Sequence, residues 1–141
     1  MNRNTGMNAG QIIGTMGGKQ VVGLDIAKHV FQLHTVDMST GEIANVQIKR
    51  AKVLEHFVNK PKSLIALEAC GGAHHWAREL TALGHTVRLL HAKIVRPFVS
   101  GNKTDATDAR AIWLAVQQPG VKFVGIKTAA QQATLTLHRQ R

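Results

Sequence analysis

The stretch Ser63-Leu64-Ile65-Ala66-Leu67-Glu68 is apolar at every position between its first and last residue and ends on a carboxylate. A continuous apolar run of this length is typical of a strand that is covered on both faces, as in sheets with parallel strands. Gly71 and Gly72 predict a tight turn after it, followed by a helix at Ala73–Leu83 and another strand at His85–Leu90. The stretch therefore predicts a βα unit and places Glu68 at the carboxyl end of a parallel strand.

Upstream of this unit the sequence predicts three short strands, at Gln20–Ala27, Val30–Val36 and Glu42–Lys49. The turn at Met38–Glu42 is too short for a crossover, so neighbouring strands are expected to pair antiparallel. The remaining predicted elements are helices at Ala51–Asn59, Ala92–Val99, Thr104–Gln118 and Thr128–Arg141 and a short strand at Val121–Ile126. The predicted fold class is therefore α/β, with a mixed five-stranded sheet in which parallel βα units follow three antiparallel strands.

The length of 141 residues suits one compact domain, and a hydrophobic fraction of 44% supports a buried core. Residues 1–19 are rich in glycine and asparagine without any apolar period, and they are predicted to form a flexible leader. Residues 20–127 form the predicted domain. Residues 128–141 are expected to start a longer helical segment that is truncated here, because neither a cap nor a glycine stop ends the pattern.

The composition favours a nucleic-acid partner and disfavours a membrane. The net charge is +10 and the pI is about 10.5, which favours polyanions such as DNA or RNA. With four Phe, two Trp and no Tyr, the chain lacks the aromatics of a base-stacking platform, so recognition of backbone or shape is expected. No apolar run approaches the roughly 18 residues of a transmembrane helix. A single cysteine, Cys70, fits a reducing cytoplasm.

Four of the eight acidic residues stand where they suggest a shared site: Asp25, Glu68, Asp105 and Asp108. Asp25 lies in the apolar segment Val21–Ile26, where an ionised carboxylate is costly without a compensating cation or hydrogen bonds. Each acid also has a plainer explanation. Asp25 would cap a helix that begins at Ile26, Glu68 would be a surface residue, and Asp105 with Asp108 would form a capping box.

Taken together, two acids at strand ends and an acidic pair on a following helix are what a two-metal site needs. The spacing of Asp105 and Asp108 places both on one side of a helix. Oxygen ligands suit Mg²⁺ or Mn²⁺. Two such ions about 4 Å apart activate a water or hydroxyl and stabilise the leaving oxygen of a phosphodiester. The acids therefore predict a divalent-metal site that acts on nucleic acid.

Three segments carry a family resemblance: Val21–Lys28, Leu67–Gly71 and Lys103–Ala109. In composition and spacing they resemble the N-terminal domain of DEDD-type insertion-sequence transposases, a family that includes pilin-gene invertases and bridge-RNA-guided recombinases. The resemblance extends from about Gln20 to the end and is most specific in the third segment. It implies a RuvC-like, RNase H-type fold in which Asp25, Glu68, Asp105 and Asp108 are the catalytic, metal-binding tetrad.

The same resemblance implies features of the intact protein. Family members carry a coiled coil and a second domain with a serine nucleophile, whereas the serines of this chain, Ser39, Ser63 and Ser100, lie in no such motif. The chain alone is therefore expected to bind metal without completing DNA recombination. In the intact protein the resemblance implies transposition guided by a structured RNA, homo-oligomerisation through the terminal helix, and a location in the prokaryotic cytoplasm at the nucleoid.

Basic residues flank the second acidic pair, namely Lys93, Arg96, Lys103 and Arg110. Basic side chains beside a metal site would neutralise the phosphates of a bound nucleic acid, so we predict that these residues contact nucleic acid.

Two other functions fit the residues. A Holliday-junction resolvase or structure-selective nuclease would use the same acids with a metal-bound water. A non-catalytic module would bind nucleic acid or dimerise, with the acids as caps and surface charge. A sugar-kinase or actin-type ATPase half is disfavoured, because the chain is short and has no second glycine-rich phosphate loop.

Overall fold

The computed structural model of the chain describes residues 20–27, 29–101 and 105–139. Its centre is a five-stranded sheet in the spatial order β3-β2-β1-β4-β5. The strands are β1 (Gln20–Asp25), β2 (Val30–Asp37), β3 (Ile43–Lys49), β4 (Leu64–Glu68) and β5 (Thr86–Leu90). β1, β2 and β3 pair antiparallel, whereas β4 pairs parallel with β1 and β5 pairs parallel with β4. The predicted fold class is confirmed; the predicted leader at residues 1–19 lies outside the described residues.

Helices cover both faces of the sheet. The α-helices of the described part are α1 (Val53–Val58), α2 (Gly71–Ala82), α3 (Ala92–Val95), α4 (Asp105–Val116) and α5 (Ala129–Arg139). Because side chains alternate along a strand, Leu64 and Ala66 of β4 belong to the core cluster under α4, whereas Ile65 and Leu67 belong to the cluster under α2. All four of these side chains are fully buried, as the continuous apolar run of β4 predicts.

The start of α2 differs from the prediction. Gly71 and Gly72, predicted as a tight turn, form the first turn of the helix. A glycine in a helix costs about 1 kcal/mol relative to alanine. Burial of other α2 side chains against the sheet offsets this cost, among them those of Ala73, Trp76 and Leu80.

The segment Val121–Ile126, predicted as a strand, is not one. Its contact with the sheet is an isolated bridge, in which the Val124 N–H donates to the Leu89 carbonyl at 2.8 Å. Val121 and Phe123 pack against the core cluster under α4, and Val124 packs against the cluster under α2. Burial of these side chains, rather than a strand ladder, therefore positions the segment.

The predicted helix at Ala92–Val99 is shorter than expected. The α-helix α3 ends at Val95, and the chain continues as a 3₁₀ turn over Arg96–Phe98. Pro97 accounts for the change, because proline has no N–H to donate and its ring crowds the preceding turn.

Helix α5 begins with a reciprocal cap. The Gln131 N–H donates to Thr128 Oγ1 at 3.1 Å, and the Thr128 N–H donates to Gln131 Oε1 at 2.8 Å. The residue before the cap is fixed to α2, because the Lys127 N–H donates to His74 Nδ1 at 3.0 Å and Arg78 donates to the Lys127 carbonyl at 2.5 Å. α2 therefore sets where α5 leaves the domain.

This attachment predicts a loss of stability in acid. Burial, and then the positive charges of Lys127 and Arg78, lower the pKa of His74 below its ordinary value. The unfolded chain therefore binds a proton at a higher pH than the folded chain does, so stability falls as the pH drops through about 6.5. Protonation would also remove the acceptor that Nδ1 offers to Lys127.

We expect His74→Asn to reduce this loss, because asparagine keeps an acceptor oxygen but does not titrate. The measurement is the urea midpoint of both proteins at about pH 7.5 and about pH 5.5. His56, whose pKa is also lowered by burial and by Lys60, leaves part of the dependence in the variant. An equal loss of stability in both proteins would contradict the assignment.

Within the described residues, no helix combines the length and the apolar character that spanning a membrane demands.

Candidate metal centre

Two of the predicted acids end adjacent parallel strands. Asp25 is the last residue of β1, Glu68 is the last residue of β4, and the preceding residues Leu24 and Leu67 are directly paired. The two acids therefore lie at the same level and at the same edge of the sheet. The alternative in which Asp25 caps a helix is wrong, because Ile26 and Ala27 form no helix.

Both acids belong to the face of the sheet that α4 covers. Val21 of β1 and Leu64 and Ala66 of β4 pack in the core cluster under α4. Asp25 and Glu68 follow at even spacing along the same strands, so strand alternation places them on that face. Both residues are half-buried, which fits a position at the rim of the core.

Helix α4 crosses β1 in direct backbone contact at Gly23. A Cβ atom on Gly23 would collide with the Ala109 carbonyl oxygen and would lie 2.8 Å from the Trp113 nitrogen. This close approach places the first turns of α4 beside the strand end that carries Asp25. This role of Gly23 was not predicted from the sequence, although a glycine within an apolar strand is a recognised signal of close backbone approach.

The acids of β4 and α4 meet in one pocket. Glu68 and Asp108 both line a cavity of about 340 Å³. The other lining residues are Ala92, Val95, Arg96 and Val99. The pocket therefore brings together a carboxylate from a strand end, a carboxylate from the first turn of α4 and one guanidinium. Carboxylate oxygens of this kind suit a hard divalent cation.

The other two acids are less fully defined. Asp25, one strand away from Glu68, does not line this pocket. Asp105 begins α4, and its side chain lies outside the described part of the chain. Among the side chains that the structure describes, no group of three or more His, Cys, Asp or Glu residues is arranged to hold a metal ion. The structure thus brings Glu68 and Asp108 together without defining the complete tetrad.

The predicted nucleic-acid contacts divide in a similar way. Arg96 is exposed and lines the pocket with Glu68 and Asp108. Lys93 and Arg110 are exposed on α3 and α4 and do not line it. Lys103 lies outside the described residues. Among the predicted basic residues that the structure describes, Arg96 is therefore the one that lines the same pocket as the acids.

No protein-family model matches the sequence. A protein of Pseudomonas aeruginosa named "Probable family 20 transposase" is 50% identical over 120 residues, which are 85% of this chain and 36% of that protein. The transposase for insertion sequence element IS1328 of Yersinia enterocolitica is 36% identical over 121 residues, 86% of this chain and 36% of that protein. The chain thus spans about a third of the length of the curated relatives it matches.

The fold has a counterpart among solved structures. RuvC of T. thermophilus, in a complex with a Holliday junction substrate, superposes with a TM-score of 0.52 at 15% sequence identity. The match covers 74% of this chain and 99% of the RuvC chain. At this identity the likeness concerns the fold alone. Over more than four fifths of its length the chain is therefore similar to insertion-sequence transposases, of whose length it spans about a third, and it has the RuvC-like, RNase H-type fold.

Proposed function

We propose that the chain is the metal-binding catalytic domain of a DNA transposase or recombinase, in which Asp25, Glu68, Asp105 and Asp108 hold Mg²⁺ or Mn²⁺. The observation that carries the proposal is the pocket in which Glu68 and Asp108 meet at the carboxyl edge of the parallel strands. Ligands gather at this edge in sheets of this kind. Asp25 ends the adjacent strand on the same face, and Asp105 begins the helix that carries Asp108.

The donor set fits the metal, since it consists of carboxylates and lacks the sulfur and imidazole ligands that select zinc. When bound, the ions would supply the positive charge that activates the attacking oxygen and stabilises the leaving oxygen of a phosphodiester. Glu68 and Asp108 would fix the position of that charge relative to the sheet. Arg96, on the wall of the same pocket, would bind a neighbouring phosphate of the DNA backbone. Lys93, Lys103 and Arg110 would extend this contact.

For the intact protein we assign phosphodiester cleavage and strand transfer in transposition, guided by a structured RNA. Strand transfer would draw on a serine nucleophile outside these 141 residues, so this chain alone would bind metal without recombining DNA. The domain would comprise residues 20–127, with residues 1–19 as a leader and residues 128–141 as the start of a helical segment for homo-oligomerisation. It would act on DNA in the prokaryotic cytoplasm, at the nucleoid.

A resolvase-like nuclease is the second candidate. What favours it is the extent of the match, because 99% of the RuvC chain, whose structure holds a Holliday junction substrate, has a counterpart in this chain. A nuclease of this type would need no further domain for hydrolysis.

One experiment distinguishes the candidates. The chain is incubated with a four-way DNA junction and with linear duplex of the same sequence, each in Mg²⁺, in Mn²⁺ and in EDTA. The transposase-domain proposal expects binding that is stronger in metal and no incision of either DNA. Paired nicks at the junction would establish the resolvase instead. Binding that is equal in metal and in EDTA would favour a non-catalytic module.

A further inference from the structure

A second pocket, which we call the basic pocket, lies on the other side of the sheet. Its volume is about 620 Å³, and it is lined by His29, Val30, Lys49, Arg50, Ala51, His75 and Trp76. These residues come from the start of β2 and the residue before it, the end of β3, the 3₁₀ turn Arg50–Lys52 that follows β3, and helix α2. Trp76 packs in the core cluster under α2, so the basic pocket and the carboxylate pocket open on opposite faces.

The Arg50 guanidinium in the basic pocket lies over two aromatic rings. Its guanidinium carbon lies 5.5 Å from the ring centroid of Trp76 and 5.9 Å from that of Phe31. The two rings meet edge to face, with centroids 4.9 Å apart. The Arg50 backbone N–H also donates to the His29 carbonyl at 2.8 Å. Attraction between the cation and the two rings restrains the guanidinium, which lowers the entropic cost of binding a ligand there.

The charge of the basic pocket is not compensated from within. No carboxylate lines it among the described residues, whereas His29, Lys49, Arg50 and His75 do. Lys52, two residues after Arg50, differs from the pocket residues, because its ammonium pairs with the Glu55 carboxylate at 3.4 Å. The pocket is therefore suited to an anionic ligand.

The basic pocket is near the edge of the sheet that carries the acids. Asp25 pairs with Gln32 of β2, and Val30, which lines the basic pocket, lies two residues farther toward that edge. At about 3.4 Å per residue, Val30 extends about 7 Å beyond the level of Asp25. Helix α2 follows Glu68 after two residues and supplies His75 and Trp76. Both pockets therefore lie toward the same edge of the sheet, on opposite faces.

We infer that the basic pocket binds an unpaired nucleotide of single-stranded nucleic acid, with its phosphate on Lys49 and Arg50 and its base stacked against the Arg50 guanidinium. Arginine planes stack on unpaired bases, whose faces a single strand leaves accessible. The choice of nucleic acid as occupant rests on the proposed function and on the net charge of +10. The geometry of the pocket does not depend on the metal site.

The test measures the affinity of the chain for a labelled 12-nucleotide strand by fluorescence anisotropy in EDTA, so that failure of the metal site cannot affect it. Arg50→Gln is expected to weaken binding of the single strand about 10-fold. Lys52→Gln, which removes one charge from the same 3₁₀ turn outside the pocket, is expected to change it less than about 2-fold. Lys49→Gln provides a second pocket variant if Arg50→Gln fails to fold, because it leaves Arg50 over the rings of Phe31 and Trp76.

Parallel arms with DNA, RNA and duplex DNA complete the design. The proposal expects the loss in the pocket variants to be larger for a single strand than for the duplex, and the single strand with the larger loss identifies the source of the nucleotide. Equal losses in Arg50→Gln and Lys52→Gln would overturn the proposal, because they would show general charge attraction. Unchanged binding in both pocket variants, or a loss that is equal for duplex, would also overturn it.

Discussion

Gly23→Ala is expected to destabilise the domain by about 3 kcal/mol or more, the upper range for overpacking a core. The new methyl group would collide with the backbone carbonyl of Ala109 and lie 2.9 Å from Trp113 Cβ. Backbone atoms cannot rotate away as a long side chain can, so α4 would have to move away from β1. That movement would also displace Asp108, so metal affinity should fall with stability.

Gly72→Ala is the matched control. Gly72 lies in α2, and no atom other than its chain neighbours and its own helix lies within 4 Å of its Cβ position. The same added methyl group should therefore be neutral or stabilise by up to about 1 kcal/mol. The measurement is urea unfolding of both variants and the unaltered chain. Equal midpoints for Gly23→Ala and the unaltered chain would show that α4 does not pack on β1 as described.

Saturating Mg²⁺ or Mn²⁺ is expected to stabilise the domain strongly. A ligand at about 100 times its dissociation constant adds about 2.7 kcal/mol to the free energy of unfolding. For a domain of this size, that corresponds to a rise in melting temperature of about 5–10 °C. The Glu68→Gln/Asp108→Asn double variant should lose this rise, because it removes both carboxylates that line the pocket.

Glu42→Gln is the control for that experiment, since Glu42 is an exposed acid in the turn between β2 and β3. It should melt with the same metal-induced rise as the unaltered chain. A rise that survives in the double variant would mean that the metal stabilises the domain from another place.

The sequence predicts the sheet well because the strands can be recognised from local sequence patterns. Ser63–Glu68 is apolar throughout, and the structure buries its side chains on both faces. Val121–Ile126 is also largely apolar but forms no strand, and its contact with the sheet in the described part of the chain is the isolated bridge between Val124 and Leu89. Local propensity alone does not distinguish these outcomes, since tertiary burial decides between them.

The two pockets illustrate the same limit. Asp25 and Glu68 were predictable from their positions at strand ends, because parallel strands end at a common edge. The meeting of Glu68 with Asp108 depends on how α4 crosses β1, and that crossing depends on Gly23. The basic pocket was not predicted, because Arg50, Phe31 and Trp76 come from separate elements and meet only in the folded domain.

Calorimetric titration of Mg²⁺ and Mn²⁺ into the metal-free chain, beside the Glu68→Gln/Asp108→Asn double variant, tests the central claim most directly. We expect heat of binding with the unaltered chain and with Glu42→Gln, and none with the double variant. Equal binding by the double variant, or no binding by any of the proteins, would contradict the assignment of a metal site to these carboxylates.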